Sequence, residues 1–137
     1  MPEESTTSDL VELVQRFSEA LGRRDADAAI RLLALDFVYR PIATFTDSQE
    51  RGVDEFRGFM VDWWDTWAED ANWQPDTVRA YGEAVVALLR FSGHARASGA
   101  EMTGGLFEVF RFQDGRIRQI EDFTNSPDAI AAAEGPG

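Results

Sequence analysis

The 137-residue chain is long enough for one domain with a sizeable core, and 44% hydrophobic residues with 10 Phe, 4 Trp and 2 Tyr exclude a disordered polymer. A net charge of −12, with Arg supplying all 13 basic residues, disfavours nucleic acid and anionic membranes and removes lysine Schiff-base chemistry. No cysteine is present, which excludes disulfides, thiol catalysis and thiolate metal sites.

In chain order, the opening MPEESTTSDL has neither a basic region nor an apolar signal core, so the expected location is the cytoplasm. No apolar run approaches the roughly 18 residues that span a bilayer. Arg and Ala in place of Lys suit a GC-rich bacterial genome. The whole chain, 1–137, reads as a single domain with its core at 8–126. Residues 1–7 and 127–137, the latter ending AAAEGPG, read as loose tails.

Leu10, Val11, Leu13, Val14, Phe17 and Leu21 recur at helical spacing, with Ser8 or Asp9 as cap and Gly22 as stop. A second short helix is predicted over 25–34, offering Ile30, Leu32 and Leu33. DFVYRP follows as a short strand ended by Pro41. The third helix carries a stripe of Val53, Phe56, Phe59, Met60, Trp63, Trp64 and Trp67 at spacings of three and four. Core packing explains it better than base stacking, which needs a basic groove.

After Asn72 the period changes to two. Strands are predicted at 73–81, 84–96, 102–113 and 116–124, joined by Gly82-Glu83, a Ser98-Gly99 loop and Asp114-Gly115. Gly93, Gly104 and Gly105 are candidate bulge points. Three helices followed by an antiparallel meander make an α+β layout. Alternation sets Val86, Leu88, Arg90, Ser92 and His94 against Val85, Ala87, Leu89, Phe91 and Gly93 on the second long strand. It sets Leu106, Glu108, Phe110 and Phe112 against Phe107, Val109 and Arg111 on the third. On the last it sets Ile120, Asp122 and Thr124 against Ile117, Gln119, Glu121 and Phe123. The alternation does not itself say which face is inner.

Helix–helix–strand–helix–meander, with DGRI in the last hairpin and a carboxylate six residues after Arg116, resembles the nuclear transport factor 2-like superfamily, and within it the SnoaL-like branch of polyketide cyclases. The resemblance covers about residues 10–125. It implies a cone, in which a curved antiparallel or mixed sheet wraps around three N-terminal helices and opens to a mostly apolar pocket. It further implies that Arg90, Ser92, His94, Glu108 and Asp122 share the inner face. Phe17, Phe56, Phe59, Met60, Trp63, Leu88, Leu106, Phe110 and Ile120 would form the walls, with Tyr39 and Arg40 near the mouth. There Arg40 would meet an acidic ligand.

The ketosteroid isomerase pattern, a Tyr on the first helix, an Asp before a Pro and an acid on the third long strand, falls here on Phe17, Arg40 and Glu108. The limonene epoxide hydrolase pattern, an Arg and an Asp two residues apart plus a final Asp, falls on Arg90, Ser92 and Asp122. A SnoaL-type acid–base carboxylate falls on Asp122, while scytalone dehydratase-like sites need more His than the single one present. The resemblance thus implies a cofactor-independent, metal-free isomerase, cyclase, dehydratase or epoxide hydrolase acting on a small apolar or aromatic metabolite. In that reading Arg90 orients Asp122 as base and Glu108 is the acid. A non-catalytic ligand-binding or protein-interaction module of the same fold stays open beside it, as does a structural ion-pair network for the three charged residues. A homodimer is expected through the opposite face, formed by Val85, Ala87, Leu89, Phe91, Phe107, Val109 and Phe123, unless the first helix or the C-terminal tail folds over it.

Overall fold

A computed structural model describes residues 7–41 and 50–135. Apart from Thr7, which opens the first helix, the expected loose N-terminal stretch lies outside them. The helices α1 (Thr7–Gly22) and α2 (Ala26–Ile30) precede strand β1 (Leu33–Arg40) and helix α3 (Val53–Thr66). The strands β2 (Asn72–Tyr81), β3 (Ala84–His94), β4 (Glu101–Gln113) and β5 (Arg116–Phe123) follow, and α4 (Ser126–Glu134) closes the order. The sheet runs β1-β5-β4-β3-β2, with β1 parallel to β5 and every other pair antiparallel. This is the mixed α+β arrangement expected.

The turns are set locally. Asp114 and Gly115 both take positive φ, 52° and 76°, as a two-residue hairpin between right-twisted strands demands. Asp25 caps α2 through Ala28, so the helix starts where the sequence placed it. It ends early, however, because Leu33 and Ala34 are taken into β1, where Leu33 pairs with Ile117.

The core lies between the helices and one sheet face. Val14 and Phe17 of α1, Phe37 of β1, Phe56 and Met60 of α3, and Phe110 and Ile120 of the sheet form it. The bulges fall elsewhere than at the three glycines. The β3–β4 register is unbroken, and the shifts lie at Leu33/Val38, Pro75/Thr77 and Arg111/Phe112. Gly93 is needed for close approach instead, since a Cβ there would come within 3.0 Å of the Ala71 Cα.

Two expectations are corrected by the packing. Of the C-terminal stretch expected to be loose, residues 127–134 lie in a helix, Ser126–Glu134, capped by Asn125 on the Asp128 amide, with a proline in its first turn. Ala129 and Ala133 of α4 pack on Val86 and Val109, with Phe107 and Phe123 beside them, and Arg111 donates to the Ala132 carbonyl at 2.5 Å. The chain's own C-terminal segment therefore covers part of the outer face. Furthermore, Val85, Ala87, Leu89 and Phe91 are on the inner face, so four of the seven side chains on which the dimer was argued face the core or the pocket instead.

Candidate active site

The strand register decides which side chains meet. Directly opposed residues on neighbouring strands share a face, and Val85 opposes Phe110, Ala87 opposes Glu108 and Leu89 opposes Leu106. On the next pair Glu108 opposes Asp122 and Phe110 opposes Ile120. The inner face thus carries Glu108 and Asp122, as the resemblance implies, beside the odd-numbered residues of β3. The assignment of β3 was one residue out of step.

Four predicted site residues are consequently excluded from the cavity. Arg90 points outward and pairs with Asp76, its Nε 2.9 Å from Oδ2. Ser92 is exposed and Leu88 is half-buried on the same outer side. His94 Nδ1 lies 2.5 Å from Asp70 Oδ2, with Nε2 3.7 Å from Glu101, and the His94 hydrogen bond holds the Asp70 carboxyl below its usual range. Arg90 therefore does not orient Asp122. Arg40 alternates away from Tyr39 and pairs with Glu50 at 2.6 Å, so it is not a pocket residue either. Phe110 and Ile120, expected as pocket wall, are core side chains behind it, essentially unexposed to solvent.

What the fold does assemble is a cavity of about 260 Å³ between α1, α3 and the inner sheet face. Phe17, Phe56, Phe59, Met60, Trp63 and Leu106 line it as predicted. Trp73, Leu89, Phe91 and Gly104 line it unpredicted, and exposed Met102, Thr103 and Gly104 bring it to the surface at the start of β4. Aromatic contacts run through it in a chain. Tyr39 and Phe59 ring centroids are 5.4 Å apart, Phe59 and Trp63 6.4 Å, and Trp63 and Phe91 5.7 Å.

At one end stand Glu108 and Asp122, only 5% and 4% exposed. Carboxylates so deeply buried need a partner or a proton. Tyr39, expected near the mouth, supplies part of the answer. It is buried on β1, and its hydroxyl donates to Asp122 Oδ2. Burial, followed by the negative charge of Asp122 and Glu108, pushes the Tyr39 hydroxyl far above its ordinary range, so it remains a donor. Burial likewise raises the Glu108 carboxyl well above its ordinary value, reinforced by the charge of Asp122 and by a hydrogen bond between the two carboxyls. Asp122 is pushed up to about 6, burial dominating over the opposing hydrogen bonds from Glu108 and Tyr39. Two acids that share a site cannot both ionise readily. The direction is clear: Glu108 keeps its proton, and Asp122 is the first of the pair to become a carboxylate.

The arrangement is therefore an acid and a base side by side, with a phenol holding the base in place. Asp122 Oδ1 and Glu108 Oε1 are buried without a hydrogen-bond partner, as is the indole Nε1 of Trp73 towards the other end. Ser18 Oγ and Trp67 Nε1 are buried and unpaired as well, but Glu108, Asp122 and Trp73 line the cavity, where a ligand or water can complete their hydrogen bonds. Among the described residues, no cluster of three or more His, Cys, Asp or Glu is placed to hold a metal ion. No helix there is long and apolar enough to cross a membrane.

The family model described as the SnoaL-like domain matches residues 14–120. No curated protein matches the sequence. Among solved structures, the chain is similar to a protein from Jannaschia sp. CCS1 described as a SnoaL-like polyketide cyclase, at TM-score 0.76 and 16% identity over 100% of this chain and 99% of that one. It is similar to a nuclear transport factor 2-like protein from Burkholderia thailandensis E264, at TM-score 0.74 and 24% identity over 92% and 97%. It is also similar to AclR from Streptomyces galilaeus, described as a hydroxylase, at TM-score 0.74 and 16% identity over 96% and 89%. Identities this low carry the fold and nothing finer.

Proposed function

This chain belongs to the SnoaL-like domain family of the nuclear transport factor 2-like superfamily, and on that footing we propose that it is a cofactor-independent acid–base enzyme acting on a small, largely apolar metabolite. The observation that carries the reading is the facing of Glu108 and Asp122 across β4 and β5 at the end of an aromatic cavity, with the Tyr39 hydroxyl on Asp122. A base should titrate near the working pH, and Asp122, at about 6, does so. In the proposed step Asp122 removes a proton from carbon beside a carbonyl while Glu108 gives its proton to the carbonyl oxygen, leaving an enol. Isomerisation, cyclisation or loss of water can proceed from that intermediate; when the enol collapses, its hydroxyl proton returns to Glu108 and Asp122 delivers its proton to the substrate. Tyr39 is a positioning residue, fixing which Asp122 oxygen faces the ligand.

The epoxide-hydrolase pattern receives no support, because Arg90 and Ser92 project from the opposite face. Proton exchange at carbon tests the enzymatic reading directly. Cyclic ketones and enones incubated with the protein in heavy water should lose α-proton NMR signal, and Asp122→Asn and Glu108→Gln should slow that exchange by roughly 10²–10⁴-fold. Tyr39→Phe should slow it less and shift its pH profile upward. Exchange no faster than buffer across the ligand set, despite saturable binding, would leave the alternative: a binding module that holds its ligand without turnover.

A further inference from the structure

We propose that this pocket is a receptor for positive charge: it takes hydrophobic ammonium compounds in preference to neutral molecules of the same shape, the cationic head lying against Glu108, Asp122 and the rings of Tyr39, Phe56 and Phe59. The inference concerns the ligand class of the same site and rests on the cavity described above, but not on turnover.

Four observations lead there. First, among the described residues the two carboxyl groups are the acids that line the cavity, and no Arg or His lines it. Each carboxyl has one buried oxygen without a protein donor, and Asp122, the first of the pair to ionise, presents an acceptor that a donor or a positive charge can meet. Second, the rings at that end are clustered: Tyr39 to Phe56 is 5.0 Å between centroids, Tyr39 to Phe59 5.4 Å, and Phe17 to Phe56 6.2 Å. Aromatic faces carry negative potential and attract cations, most strongly where water is excluded.

Third, the protein uses this property within its own chain. The Arg51 guanidinium stands 4.6 Å from the Phe59 ring centroid. Fourth, the net charge of −12 draws cations towards the molecule and repels anionic ligands.

The shape gives the ligand two ends. Glu108 opposes Ala87, whereas the Trp73 and Phe91 pair lies four residues further along β3, roughly 13 Å away at the rise of a strand. An apolar body therefore extends from the carboxyl end towards Trp63, Trp73 and Phe91, where the surfaces are mostly aromatic and none of the lining side chains is ionisable. The groups that set the charge here are Glu108 on β4, Asp122 and Glu121 on β5, Tyr39 on β1 and Arg51 ahead of α3. Glu121 adds negative charge near Asp122, while Arg51 opposes it near Tyr39.

The test pairs benzyltrimethylammonium with neopentylbenzene, its uncharged isostere, using thermal shift and calorimetric titration of the full chain. The cation should bind about tenfold or more tightly, the effect of a desolvated cation–π contact reinforced by a carboxylate. Its affinity should rise between pH 5 and pH 8, as Asp122 releases its proton, whereas that of the hydrocarbon should stay flat. In Asp122→Asn/Glu108→Gln the preference should collapse to within about twofold. Equal or weaker binding of the cation by the unaltered protein overturns the proposal, and that comparison does not depend on the variants folding. A failed proton-exchange assay with the cation preference intact removes the enzymatic reading alone.

Discussion

Replacing Asp122 by Asn changes the stability of the protein in a way that depends on pH, and the sign follows from burial. The Asp122 carboxyl titrates near 3.8 when unfolded and is pushed up to about 6 in the fold. A carboxyl raised by folding contributes stability in full below its unfolded value, and this contribution is lost as pH rises through the folded value. A displacement of about two units is worth on the order of 3 kcal/mol above pH 6. Glu108, raised in the same direction, extends the loss to higher pH.

Asparagine has the same shape, has no charge to desolvate and can still accept from Tyr39, at a weaker hydrogen bond than a carboxylate offers. Asp122→Asn should therefore be more stable than the unaltered protein by about 1–2 kcal/mol at pH 8, and equal or slightly less stable at pH 4.5. The corresponding thermal shift at pH 8 is about 4–8 °C for a chain of this size. Urea unfolding at half-unit steps from pH 4.5 to 8, with the slope checked for constancy, measures it. Exposed Asp70 works in the opposite sense, since its carboxyl is lowered, but it acts only below about pH 4. A difference between the two proteins that is flat across pH, or one that favours the unaltered protein at pH 8, refutes the assignment of Asp122 as a buried acid lifted by desolvation.

Gly104 lies on the inner face of β4 opposite Phe91, and a Cβ there meets nothing within 4 Å. Gly104→Val should therefore leave thermal stability unchanged or raise it by a few tenths of a kcal/mol, because a β-branched residue suits a strand, while weakening ligands by about tenfold or more by filling the cavity mouth. Arg90→Gln should leave ligand affinity within about twofold, because its guanidinium pairs with Asp76 outside the pocket; the same titration calorimetry checks it. Phe110→Ala should cost about 3–5 kcal/mol in chemical denaturation, as expected of a wholly buried ring packed edge-on against Phe17 at 5.9 Å.

The elements that could be read from the sequence are those with a strong local period or an obligatory turn residue. The α3 stripe fixed its own inner face, and Asp114-Gly115 fixed its hairpin, placing Glu108 and Asp122 on one side of the sheet. Helix α4 carried its signals too, with Asn125 as cap, Pro127 in the first turn and Gly135 after the last residue. Its apolar face is made of alanines, whose short side chains give a weak periodic signal. Tyr39 was legible as a strand residue two positions from Phe37, both buried, but its partner lies 83 residues away and only the β1–β5 pairing joins them.

The misplacement of Arg90, Ser92 and His94 has a more instructive cause. From Ala84 to Leu89 both faces of β3 are apolar because each is covered, one by the helical core and the other by α4. Alternation within that half therefore cannot say which face is inner, and a slip of one residue reverses every side chain. The remaining half does discriminate. Beyond Leu89 the strand outruns α4, and its alternate residues become Arg90, Ser92 and His94 against Phe91 and Gly93. Polar residues on the open half of a strand lie on the solvated side unless a partner is specified, and three of them in register are better explained by water than by a pocket. Taken alone, that rule places Val85, Ala87, Leu89 and Phe91 inside, as observed. The opposite assignment is what the superfamily resemblance implies when it is carried over residue by residue. What sets Glu108 and Asp122 apart is that each interrupts an otherwise apolar face, where an ionisable side chain has no solvent to meet. Arg90 interrupts nothing.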